Sequence, residues 1–162
     1  VIPPLENRPL ENRLWRWEEI AGPDGVVYLR RFVIARLPGN RRIYLHHFVG
    51  DDWSRDPHDH PKAFWSIGLW GGYVEEVFAR VPVRIGRLSL RLALTHTLRW
   101  WAPWIRRFPA EHIHRIRLVD GRSAWTLVFT GPETRPWGFW RDSRWIHYLT
   151  YLREVDREGA AP

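Results

Sequence analysis

His58 and His60 stand two residues apart at the head of the run PHDHPKAFWSIGLWGGYVEE, residues 57–76. Alternate residues of an extended chain leave on the same face, so the two imidazoles project side by side, close enough to share a metal ion. His112 and His114 repeat that spacing about fifty residues later. The chain has no cysteine, so any metal must be held by imidazole, carboxylate or water. Three protein ligands would leave positions open for water or a substrate, as a catalytic site requires and a closed structural site does not.

The alternation that carries His58 and His60 continues through Phe64, Ser66, Gly68 and Trp70. Ser66 and Gly68 are small and would leave a gap for a ligand, with Phe64 and Trp70 flanking it as pocket lining. Tyr73 and Glu75 share a face and could line the pocket mouth, with Glu75 as an acid or base and Tyr73 beside it. The simpler reading of Glu75 is an exposed strand residue paired with one of the many arginines. His112 has the parity of His114 and is a fourth ligand, a group behind the ligands, or a core histidine. His46, His47, His96 and His147 have no such context and read as structural or exposed. Arg115 and Arg117 alternate away from His114 toward the outside, while Arg99, Arg106 and Arg107 are candidates for an anion entry.

The elements that must position these groups read as strands. Leu14 to Ile20, Val26 to Leu37, Arg42 to Val49, Ala63 to Trp70 and Tyr73 to Arg80 are short runs rich in β-branched and aromatic residues, bounded by turn signals. Gly71-Gly72 suits the positive φ angles of a tight hairpin between the last two. Ile85 to Leu94 and Thr95 to Trp104 follow, the first with leucines at alternate positions 88 to 94. Ile113 to Val119 and Ala124 to Thr130 flank the turn Asp120-Gly121-Arg122 and read as another hairpin, with a final strand at Trp137 to Trp140. Trp145 to Arg157 is the one convincing helix, with Trp145, Leu149, Leu152 and Val155 near one face. Many short strands and a C-terminal helix predict an all-β jelly roll or related barrel.

Length and composition set the bounds. The 162 residues suit one domain over 14–162 behind an N-terminal arm, residues 1–13, in which Leu-Glu-Asn-Arg occurs twice. No apolar run is long enough for a membrane helix, so the default expectation is a cytoplasmic protein without a membrane partner. The net charge of +7 comes from 25 Lys and Arg against 18 Asp and Glu, with Lys62 the lone lysine. That surplus admits an anionic partner, but a solvated basic surface is the simpler reading, and nucleic acid is not the favoured partner. The 12 tryptophans are expected to fill core and rim rather than to form a stacking platform. Glycine-rich phosphate loops, nucleophile elbows and zinc-finger spacings are absent from the sequence.

His58-x-His60, the following Gly71, and Pro109 with His114 five residues on resemble the two motifs of the cupin superfamily. The chain is similar, more narrowly, to small cupin-like proteins of bacteria and their phages, through H-D-H-P, G-G-Y-x-E, H-R-I at His114 to Ile116, and the run from Trp125 to Trp140. The resemblance implies a double-stranded β-helix and a divalent metal on His58, His60 and His114. Cupins usually carry a glutamate four residues after the second histidine; here that position is Phe64, which implies a three-histidine centre. Glu111 stands where a glycine is common in the second motif.

Three functions follow as expectations. The first is a mononuclear metal oxygenase acting on a small polar substrate, with iron as the metal ahead of zinc, nickel or manganese. The second is a sugar or nucleotide-sugar isomerase or epimerase, and the third a binding module for nucleic acid or glycan. A homodimer through edge strands is expected by analogy.

Overall fold

The computed structural model describes residues 15–22, 24–54, 56–85 and 87–159, so the expected arm over 1–13 lies outside the described residues. Among the described residues eleven strands precede one helix: β1 (Trp17–Ala21), β2 (Val27–Leu37), β3 (Arg41–Phe48), β4 (Lys62–Trp70), β5 (Gly72–Ile85), β6 (Arg87–Trp101), β7 (Trp104–Phe108), β8 (Ile113–Leu118), β9 (Ala124–Glu133), β10 (Gly138–Arg141), β11 (Arg144–His147) and α1 (Tyr148–Gly159). A six-stranded sheet runs β1-β2-β3-β9-β4-β7, and a three-stranded sheet runs β6-β5-β8, with β10 and β11 paired beside them. The named strand pairs are all antiparallel. No described helix is long and apolar enough to cross a membrane.

Period-two patterning puts one apolar set from each sheet inside. Phe48, Tyr73, Ile116 and Ala124 join the two sheets in one cluster, and Val33, Tyr44 and Val128 form a second beside Phe64. Phe64 stacks on Phe108 with ring centroids 4.8 Å apart.

Five sequence expectations change. Gly71 and Gly72 do not close a hairpin: β4 pairs with β7 and β9, while β5 pairs with β6 and β8, so the chain crosses between sheets there. The crossing still demands glycine, because Gly71 has φ of 71° and a Cβ would lie 2.4 Å from the Ser123 carbonyl oxygen. The turn at Asp120-Gly121 likewise carries the chain from β8 in one sheet to β9 in the other. Ile85 to Trp104 is not two strands meeting at Leu94. β6 runs unbroken to Trp101 past a bulge at Thr95, whose hydroxyl donates to the Val77 carbonyl at 3.0 Å.

The helix begins later than expected, since Trp145 belongs to β11. Its buried stripe is centred on Tyr151, which stacks on Phe139 at 4.1 Å between ring centroids and donates to Asp56 at 2.8 Å. The tryptophans do not fill the core. None of those described is fully buried, and Trp15, Trp17, Trp65, Trp70 and Trp101 are about half exposed or more. Phe and Tyr take the interior positions, leaving room beside them for a cavity.

Candidate metal centre and cavity

The segment His58-Asp59-His60 is held as a short extended bridge between β8 and β10. His58 N–H donates to the His114 carbonyl and His114 N–H to the His58 carbonyl, each at 3.0 Å, so the two histidines face one another across the bridge. His60 N–H donates to the Ala110 carbonyl at 2.9 Å. Asp59 turns the opposite way and is 1% exposed. Its carboxylate accepts the Gly138 N–H at 2.8 Å and the Trp145 indole N–H at 3.0 Å, and it pairs with Arg135 at 3.0 Å. The residue between the two histidines therefore anchors the segment that aims them.

Three ring nitrogens, one from each of His58, His60 and His114, lie within 4.8 Å of one another. The Nε2 atoms of His60 and His114 are 2.9 Å apart. Two imidazole–metal bonds of about 2.0–2.1 Å meeting near a right angle span about this distance. Burial, and then the neighbouring His114, holds the pKa values of His58 and His60 well below that of free imidazole. Both are neutral at pH 7 and keep a lone pair for a ligand. A set of three converging imidazoles fits one divalent ion with open positions.

Behind His114 lies Glu75, 0% exposed. One carboxylate oxygen is bonded to His114 Nδ1 at 2.8 Å and His112 Nε2 at 2.6 Å; the other accepts from the Trp100 indole at 2.8 Å and Arg106 at 2.6 Å. Burial alone would raise its pKa. The bonds from His112 and His114, backed by the charge of Arg106, outweigh that and hold it well below the usual carboxylate range. Glu75 therefore stays ionised and fixes the proton of His114 on Nδ1, which points the Nε2 lone pair at His60. Sequence reasoning finds the shared face of Tyr73 and Glu75 but not this burial. The carboxylate is neither exposed nor at a pocket mouth.

The histidines open onto one cavity of about 800 Å³. Phe64, Ser66 and Tyr73 line it. Gly68 leaves no gap, because the Trp104 ring fills the space: a Cβ there would lie 2.2 Å from Trp104 Nε1. Trp70 does not line the cavity either. A register shift between Gly68 and Trp70 breaks the alternation and leaves the ring 60% exposed. His112 binds Glu75 rather than joining the three-histidine cluster, although Glu75, His112 and His114 form a second group of potential ligands. Arg106 is committed to Glu75 and lines no anion entry. Arg115 and Arg117 both pair with Glu76, away from the cavity. Glu111 takes the usual glycine position without a positive φ, and the turn closes through His112 N–H to the Pro109 carbonyl at 3.2 Å.

Two cavity groups carry no signal in the sequence. Asp52, in a stretch that reads only as a polar loop, lies 3.8 Å from His58 Nδ1 and accepts the Ile116 N–H at 2.7 Å. Burial outweighs that bond and pushes its pKa up to about 6. His46, whose context suggests a structural or exposed residue, also lines the cavity.

No family model matches the chain, and no curated protein sequence matches it. Solved structures do. A cupin-2 domain protein of Rhodospirillum rubrum superposes with a TM-score of 0.56 at 14% identity, over 94% of this chain and 93% of the other. The chain has the cupin fold. The iron(II) protein HppE, solved with the alternative substrate (S)-1-HPP, superposes with a TM-score of 0.53 at 10% identity over 72% of this chain. The present chain spans only 56% of the length of HppE.

Proposed function

We propose that this cupin is a metal-dependent enzyme in which His58, His60 and His114 hold one divalent ion, with iron as the metal and a small polar molecule in the cavity as the substrate of an oxygenase reaction. The observation that carries the reading is the convergence of three imidazoles on one point with an ionised, fully buried carboxylate behind one of them. An ion so held supplies Lewis acidity with open positions and, as iron, one-electron chemistry. The structurally similar HppE is an iron(II) protein, which supports the choice of metal.

The chain's own residues have definite tasks under this reading. Glu75 holds the proton of His114 on Nδ1 and, through His112, Trp100 and Arg106, keeps the ring from turning. Phe64 and Phe108 wall one side and limit water, since Phe64 packs 4.9 Å from the His60 ring and Phe108 5.9 Å from that of His114. Tyr73 keeps its phenolic proton, as burial and the charge of Glu75 raise its pKa well above the ordinary value, so it serves as a hydrogen-bond donor in the cavity wall. Protein loaded anaerobically with iron(II) and then mixed with dioxygen and panels of small polar molecules tests this. Oxygen uptake that requires one such molecule and disappears in His114→Ala supports it. Turnover by metal-free protein without oxygen contradicts it.

A further inference from the structure

A second polar feature crosses the inner face of the six-stranded sheet. Glu18, Arg31, His46 and Thr126 are partners in register on four adjacent strands, β1, β2, β3 and β9. Arg31, His46 and Thr126 all line the cavity that also holds His58, His60 and His114. A row of polar residues on the inner face of a sheet is costly unless its members are bonded. Glu18 is: it accepts Arg31 Nε at 2.6 Å and Arg16 at 3.4 Å. The far end of the row is different. Thr126 is 2% exposed, and neither its hydroxyl nor His46 Nε2 has a hydrogen-bond partner among the described residues, although both atoms are buried. Two unmet polar atoms on paired positions of neighbouring strands, in residues that both line one cavity, describe a site for a ligand's polar group.

The sign of that group follows from the surroundings. Glu18 is flanked by two guanidinium groups, Arg31 within the row and Arg16 beside it, so its own charge is more than matched. Arg42 and Lys62 add positive charge to the cavity wall, against Glu133 and Asp52. His46 is kept neutral by burial and by Arg31, so it offers an N–H without adding a charge that would have to be lost. A hydroxyl and an imidazole N–H beside a guanidinium match the two oxygens of a carboxylate, whereas a cationic group would meet Arg31.

We infer that Arg31, His46 and Thr126 form a carboxylate-anchoring subsite, and that the cavity takes a small organic acid held by its carboxylate at this row while its remaining polar end faces the three histidines. The volume of about 800 Å³ exceeds what an inorganic ion needs and suits an organic molecule spanning both features. The second half of this inference rests on the metal reading above; the anchor does not.

The test is calorimetric titration of the full chain, under metal-replete anaerobic conditions, with the linear acids from acetate to adipate and with glutaramide as the neutral control. Saturable binding of at least one acid at millimolar concentration or below is expected, with none for the amide. Thr126→Val, which is nearly isosteric, and His46→Gln should each weaken that binding about tenfold. Thr126→Val should melt no lower than wild type, because it removes a buried hydroxyl with no partner. Equal binding of acid and amide, or no saturable binding of any acid, overturns the inference. So does acid binding that survives both substitutions but is lost in His60→Ala, since the acid would then sit on the metal alone. Metal content measured on the same samples separates failure of the anchor from failure of the metal reading.

Discussion

Glu75→Gln is the substitution on which the architecture of the centre depends most sharply. The wild-type carboxylate receives two donors on each oxygen, at 2.6 and 2.8 Å on each. Glutamine keeps one acceptor oxygen and presents an NH₂ where the other stood. Whichever way the amide is turned, two donors face it, either Trp100 with Arg106 or His112 with His114. Each lost charge-assisted bond is worth about 1.5–3 kcal/mol, and Arg106 loses its buried counter-charge, so unfolding free energy should fall by about 3–5 kcal/mol. Turned with its NH₂ toward the histidines, the amide also stops accepting the His114 proton. Affinity for the metal should then drop about 10- to 100-fold, as when the group orienting a ligating histidine is removed. Urea denaturation followed by circular dichroism gives the first quantity, and equilibrium metal titration of the folded variant gives the second. A Glu75→Gln protein that unfolds within about 1 kcal/mol of wild type and binds metal equally well would refute the network as the support of His114.

Other predictions follow from single features. Gly71→Ala combines a φ of 71° with a 2.4 Å approach to a backbone oxygen, so urea denaturation should show a loss of about 2–4 kcal/mol. Asp59→Ala strips the partner from Gly138 N–H, the Trp145 indole and Arg135, which should cost about 3–5 kcal/mol and weaken metal binding through misalignment of the flanking histidines, as metal titration would reveal. His46 has its pKa lowered from 6.5 to about 3 by burial and then by Arg31. Below pH 6.5 the unfolded chain takes up a proton there that the folded chain refuses until about pH 3, so stability is lost as pH falls through that window. Between pH 7 and 5 wild type should lose about 1–2 kcal/mol more than His46→Gln; parallel stability curves would contradict this.

Period two makes much of the site legible in the residues themselves. Phe64 and Ser66 reach the cavity with His60 because an extended run keeps its parity, and Trp70 fails because a bulge after Gly68 resets it. No local signal announces that bulge, since it arises where β4 must match β9 and β7 at once. Parity also places Tyr73 and Glu75 on one face. Whether that face looks inward depends on which strands flank β5, a matter of pairing across long sequence separations. The same limit explains Gly71-Gly72 and Asp120-Gly121, whose turn chemistry is identical whether the next strand pairs with the last or joins the other sheet. Trp104 filling the space at Gly68 and His46 lying opposite Thr126 are likewise facts of pairing that composition does not encode.

The function proposed for this chain rests on His58, His60 and His114 holding one metal ion together. Elemental analysis of untagged protein after metal-replete purification, beside His58→Ala, His60→Ala and His114→Ala, measures this directly. We expect close to one ion per chain in wild type and a large loss in each variant while the fold persists by circular dichroism. Equal metal content in wild type and in the folded variants would contradict it.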